Sequence, residues 1–124
     1  MTTAPDAAMR ARREAKIQEH IAAENRRDAE ATLATMHEDV VWANGLDGGY
    51  VHTHQGVRSY WTRQWAMIDP HVVPLEFSTG PDGETVVEVH QTVRDLGGKL
   101  LADKQVGHIF RIEDGLIRRF DIRP

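Results

Sequence analysis

The sequence predicts an α+β fold in which N-terminal helices cover the concave face of a curled antiparallel sheet. Three observations carry this. Apolar residues recur at helical spacing in the first half of the chain, as in Val57, Trp61, Trp65 and Ile68. The second half holds four long runs rich in β-branched and apolar residues. Three turn signals, Gly80-Pro81-Asp82-Gly83, Gly97-Gly98 and Asp114-Gly115, separate those runs as consecutive hairpins.

The elements follow in order. Residues 1–8 are small, polar and proline-containing, and read as a flexible leader to a single domain over 9–124. A first helix is predicted from about Met9 to Arg26, built from strong helix formers. Its Ile17, His20, Ile21 and Glu24 fall at i, i+3, i+4 and i+7, so the core stripe carries two polar members. Asp28 can cap a short second helix running to about His37. Val40, Val41 and Trp42 begin a strand that the glycine-rich segment 45–49 interrupts, and Tyr50 to His54 forms a second extended piece. A third helix is predicted over 57–68, ended by Asp69-Pro70. Residues 72–78, 85–95, 100–112 and 116–122 then form the meander.

Composition narrows the function classes. The 124 residues with 40% hydrophobic content suffice for one core and one main pocket. Fifteen basic and nineteen acidic residues, mixed along the chain for a net charge of -4, give no footprint for nucleic acid or an acidic membrane. Without cysteine there is no disulfide framework, thiolate nucleophile or Cys-ligated zinc. No secretory signal or spanning segment is visible, so a soluble, cytoplasmic protein is expected. Seven histidines leave imidazole and oxygen chemistry as the available kind. The basic cluster Arg10, Arg12 and Arg13 reads as a solvated face.

Asp39-Val40-Val41-Trp42 after a two-helix start, a Gly-led third helix, and Phe110-Arg111-Ile112-Glu113-Asp114-Gly115-Leu116-Ile117 near the end occur in an order and spacing that resemble the SnoaL-like families. These families belong to the nuclear-transport-factor-2-like superfamily, and the resemblance covers nearly the whole chain from Ile17. It implies a cone-shaped barrel, a cystatin-like α+β roll, enclosing a pocket for a small, mostly apolar organic molecule. It also implies a homodimer and no cofactor. The fold hosts isomerases, cyclases, dehydratases, epoxide hydrolases and binding modules alike.

The opening helix also resembles that of ketosteroid isomerase in the same superfamily. The isomerase's oxyanion tyrosine falls on His20, its general-base aspartate on Asn44 and its protonated aspartate on His108. All three positions stay polar and all three change identity. Asn44 has no basic lone pair to carry a proton between carbons, so the resemblance does not extend to that mechanism. Scytalone dehydratase, also a relative, is similar in residue type, using histidines with an asparagine.

The candidate catalytic set is therefore His20, Asn44, His108 and Asp121. Each histidine could instead be a hydrogen-bonded member of a polar core. Asp121 depends on register: a two-residue Asp114-Gly115 turn sets it opposite His108, whereas a three-residue turn sets Phe120 there and Asp121 outside. The apolar positions Leu116, Phe120 and Ile122 favour the latter. Candidate substrate-binding residues are Trp42, Trp61, Trp65, Val87 and Phe110, although tryptophans at helical spacing also serve as plain core. His52 and His54 could share a strand face, but no third ligand is fixed by spacing and no metal site is assigned. Exposed apolar residues on the convex face, such as Val86, Leu101 and Ile109, suggest sheet-to-sheet dimerisation.

Two functions follow. The first is a cofactor-independent acid–base enzyme of isomerase, cyclase or dehydratase type acting on an apolar carbonyl or hydroxyl compound. The second is a non-catalytic module that binds a hydrophobic ligand or dimerises, favoured by the want of a carboxylate base in the cone.

Overall fold

The computed structural model describes residues 7–123. Of the expected leader, residues 1–6 lie outside the described residues, while Ala7 and Ala8 are already helical. The elements are α1 (Ala7–Asn25), α2 (Ala29–Leu33), β1 (Met36–Ala43), β2 (Tyr50–His52), α3 (Thr53–Trp65), β3 (Ile68–Thr79), β4 (Thr85–Asp95), β5 (Leu100–Glu113) and β6 (Leu116–Arg123). No helix among the described residues is long and apolar enough to cross a membrane.

The α1 stripe buries Ile17, His20 and Ile21, as its spacing requires. Arg27, with φ +61°, closes the helix. Its N–H bonds the Glu24 carbonyl and the Asp28 N–H bonds the Ala23 carbonyl, the paired arrangement of a left-handed C-terminal cap. Asp28 then caps α2 by accepting from the Ala31 N–H at 3.1 Å. That helix stops at Leu33 rather than His37, because the Thr35 carbonyl accepts from Ile117 N and Met36 pairs with Ile117 of β6. Sheet pairing outcompetes the weak helical propensity of Thr35 and His37.

The six strands form one curled sheet in the order β2-β1-β6-β5-β4-β3. The meander from β3 to β6 is antiparallel, as the turn signals predict. Two features differ from the expected barrel. The sheet does not close, and β1 runs parallel to β6. Strand β3 occupies an edge, where Pro70 and Pro74 cost no ladder bonds to a further strand, and Pro74 sits at a register shift. Asp69-Pro70 therefore lies inside a strand, and α3 spans Thr53–Trp65 instead of 57–68. His52 precedes that helix and His54 lies within it, donating from Nε2 to the Met36 carbonyl at 2.9 Å. The two histidines thus do not share a strand face.

The convex face is mixed rather than apolar. Val86 and Ile109 are half-buried and Leu101 is 52% exposed. Around them Arg123 pairs with Glu88, His90 with Asp103 and Arg119 with Asp121.

Candidate active site

The concave face of the sheet and helices α1 and α3 border a partly open chamber of about 210 Å³. Aromatic rings build its walls: Trp42 of β1 stacks on Phe120 of β6 at 4.1 Å between centroids, and Trp61 of α3 meets Trp42 edge-on at 5.6 Å. Phe110 of β5 completes the surface at 5.2 Å from Phe120. Such rings offer a rigid apolar bed for a planar molecule.

His20 enters from α1 and is 1% exposed. Its Nδ1 lies 3.0 Å from the Thr35 hydroxyl, whose own proton is donated to the Thr32 carbonyl at 2.6 Å. Thr35 can then only accept, which assigns the proton to Nδ1 and leaves a bare lone pair on Nε2. That Nε2 is buried and has no hydrogen-bond partner among the described residues. Burial foremost, then the nearby His108, hold the His20 pKa down at about 3, against a weaker opposing contribution from the Thr32 backbone.

His108 of β5 faces the same chamber with 7% exposure, its ring edge-on to Phe120 at 4.9 Å. Burial lowers its pKa to about 4. Both imidazoles are therefore neutral at pH 7, and they act as acceptors and donors rather than as cations.

Glu24 lies one turn beyond His20 on α1, with Oε2 3.9 Å from His20 Nε2. Its side chain is 19% exposed and lines the chamber. Burial raises its pKa to about 7, with Arg27 only partly opposing. A carboxyl poised between its two states at neutral pH is what general acid–base work requires. Tyr60 of α3, 4% exposed, accepts at its hydroxyl from Gly45 N–H at 3.0 Å and from Gln64 Nε2 at 2.9 Å. Burial foremost raises its pKa, so it stays a neutral donor. Gln91 and Lys104, paired across β4 and β5, line the chamber as well.

Of the residues singled out from sequence, His20, His108, Trp42, Trp61 and Phe110 line this chamber. The others do not. Asn44 follows β1 and turns into the loop: its Oδ1 accepts from Leu46 N–H and Asp47 N–H, both at 2.9 Å, shaping the connection to β2. Asp121 lies on the opposite face, bonded to the Tyr50 hydroxyl at 2.5 Å and to Arg119 Nε at 2.9 Å. The turn at Asp114-Gly115 does have two residues, pairing Glu113 with Leu116, yet a register shift between Arg111 and Ile112 then moves the partner of His108 from Asp121 to Ile122. Val87 is fully buried beneath the chamber without lining it. Trp65 stacks behind Trp61 at 5.4 Å, under the Arg27 guanidinium.

Glu24, Tyr60 and Gln64 were not among the sequence candidates. Glu24 was visible as a polar member of the α1 stripe. The signal for the other two was the spacing of Val57, Tyr60, Trp61 and Gln64, a stripe masked by the neighbouring repeat of tryptophans.

Comparison with known proteins agrees with this architecture. A family model described as a SnoaL-like domain matches residues 17–120. Among solved structures, TerC co-crystallised with polyporic acid is 26% identical with a TM-score of 0.78, over 90% of this chain and 89% of that one. A putative polyketide cyclase from Xanthomonas campestris is 23% identical with a TM-score of 0.73, over 91% and 90% of the two chains. The Δ5-3-ketosteroid isomerase from Mycobacterium sp. is 17% identical with a TM-score of 0.77, over 91% and 92%. The latter two similarities are of fold. No functionally curated protein matches. With the family model covering most of the chain, including both histidines and Glu24, the protein belongs to the SnoaL-like domain family.

Proposed function

We propose that this protein is a cofactor-independent acid–base enzyme of isomerase, cyclase or dehydratase type, acting on a small, mostly apolar carbonyl or hydroxyl compound. The observation that carries the reading is the Glu24 carboxyl, its pKa raised to about 7, lining the same chamber as His20 and His108. Glu24, rather than His20 or His108, is the proton carrier in this reading. In its ionised form it removes a proton from carbon beside a carbonyl, and in its protonated form it returns that proton to carbon or to a departing oxygen. Neutral His20 and His108 orient the substrate through hydrogen bonds. The aromatic walls hold its apolar skeleton, and the similarity to TerC, co-crystallised with polyporic acid, supports an organic ligand.

A carboxyl lining the chamber supports the enzyme over a purely binding module. Association of two copies through the convex face, where Val73 and Leu101 are 43% and 52% exposed, belongs to the same reading and is tested by light scattering. The activity is tested by assaying a panel of cyclic ketones and β-hydroxy ketones for exchange of α-protons with D₂O, in the native protein and in Glu24→Gln. Exchange in the native protein that the variant loses supports the enzyme. Ligands bound and recovered without exchange or turnover would instead establish a binding module.

A further inference from the structure

We infer that the open end of edge strand β3, residues 77–79, is a docking edge for a second copy of this chain, the two strands pairing antiparallel about a two-fold axis through Ser78. This association is distinct from contact through the convex face and does not depend on any chemistry in the chamber.

An edge strand leaves the N–H and C=O of every second residue pointing away from the sheet, and folded proteins ordinarily cover or block such groups. The opposite edge, β2, is only three residues long. Strand β3 has twelve residues, and its first half is blocked at each outward position. Arg27 Nη2 donates to the Pro70 carbonyl at 2.8 Å. Asn25 meets both groups of Val72, donating from Nδ2 to its carbonyl at 2.8 Å and accepting its N–H at 3.1 Å. Pro70 and Pro74 have no N–H to offer.

The second half is open. Gly80 N–H donates to the Glu84 carbonyl at 2.8 Å where the β3–β4 hairpin closes. Counting back along the ladder, in which Thr79 faces Thr85, Ser78 faces Val86 and Phe77 faces Val87, the alternation turns the backbone groups of Ser78 toward β4 and those of Phe77 and Thr79 outward. Nothing among the described residues meets these outward groups. Beside them a groove runs between β3 and the start of α1, lined on the helix side by Ala7, Arg10, Ala11 and Glu14. Ala7 and Ala11 are small and leave room for a strand to enter.

Symmetry and charge point to a second copy as the occupant. Of the registers open to a second β3, the one centred on Ser78 pairs Phe77 with the partner's Thr79 and Thr79 with the partner's Phe77, so all four outward groups of each copy are used. Helix α1 runs back along β3, from the groove at residues 77–79 to the contact between Asn25 and Val72. With rises of about 1.5 Å per helical residue and about 3.3 Å per strand residue, Glu14 comes level with Phe77 and Arg10 with Thr79. The same two-fold therefore sets Arg10 of each copy opposite Glu14 of the other. Neither residue has an ion pair within its own chain among the described residues. Two complementary charge pairs thus flank the backbone pairing.

The chain has no cysteine, so Ser78→Cys supplies a single thiol on the proposed axis. There it faces its own copy in a non-hydrogen-bonded pair, with Cα atoms about 4.5 Å apart and within reach of a disulfide. Mild oxidation with diamide should give a disulfide-linked dimer, read by non-reducing electrophoresis. Thr79→Pro added to this chain removes an outward N–H that β4 does not use, so it should keep the native circular dichroism and lower the yield of linked dimer by about tenfold or more. Arg10→Glu and Glu14→Arg read the same contact without touching the sheet. Each alone, in the Ser78→Cys chain, should lower the yield by about tenfold, and mixing the two chains should restore it, because every pair then joins opposite charges. Absence of a linked dimer from Ser78→Cys overturns the inference. So does a linked dimer that survives Thr79→Pro in a folded chain, which would come from another contact, or a yield indifferent to both charge reversals.

Discussion

Glu24 Oε2 stands 3.9 Å from His20 Nε2, on two residues one turn apart on α1 whose affinities for a proton are shifted in opposite directions by burial. Desolvation penalises whichever form is charged, so the carboxyl is pushed up to about 7 and the imidazole down to about 3. The usual order of a carboxylate and a histidine is thereby inverted. At neutral pH it is the carboxyl that exchanges protons.

Glu24→Gln keeps the shape and removes the titrating oxygen. Turnover should fall by at least about a hundredfold, the usual contribution of a positioned acid–base group. In the native protein kcat/KM for a base-initiated reaction should rise with pH through about 7 and then level. Steady-state kinetics on any active compound from the ketone panel checks both.

The same shifts set the pH dependence of stability. His20 and His108 have folded pKa values of about 3 and 4, below the ordinary 6.5, so below pH 6.5 the unfolded chain takes up two protons that the folded one does not, and stability is lost as pH falls. Glu24 acts oppositely: between 4.5 and about 7 the folded state holds one proton that the unfolded chain has released. The net difference between pH 6.5 and 4.5 is one proton, worth about 1.4 kcal/mol per pH unit. Urea unfolding of Glu24→Gln should show about twice the native slope in that window, because the opposing proton is gone.

Asp121→Asn should leave turnover within about twofold of native, because Asp121 bonds Tyr50 and Arg119 on the convex face, away from the chamber. Its cost should appear in stability, at up to about 1 kcal/mol, as expected for a partly exposed ion pair. Loss of activity on the scale of Glu24→Gln would return Asp121 to the site.

Asn44→Ala should destabilise the protein by about 1 kcal/mol, since two backbone N–H groups of the β1–β2 loop lose their side-chain acceptor. The pH dependence of kcat/KM should keep its limb in place. Chemical denaturation together with the kinetic profile separates these effects.

Legibility from sequence followed the reach of each interaction. Strand β4 at Thr85–Asp95 and the hairpins beside it were readable because alternation and turn chemistry are local. The end of α2 was not, because it is decided by Ile117, far along the chain, pairing with the Thr35 carbonyl. His20 and Glu24 were both on a readable helical stripe, yet nothing in that stripe says which polar member becomes the proton carrier. That depends on burial set by the rest of the fold, such as the rings of Trp42, Trp61 and Phe110 packed around His20. Asp121 shows how little separates the faces of a sheet: one register shift between Arg111 and Ile112 moves its side chain from the partner of His108 to the outer surface.

The most direct test of Glu24 as a neutral-pH proton carrier is an NMR titration of ¹³C-labelled glutamate side chains, with Glu24→Gln to assign the resonance. A midpoint near pH 7 for the signal lost in the variant is the predicted result. A midpoint near 4.5, the ordinary carboxylate value, would mean that the chamber does not desolvate Glu24, and would contradict the proposed chemistry.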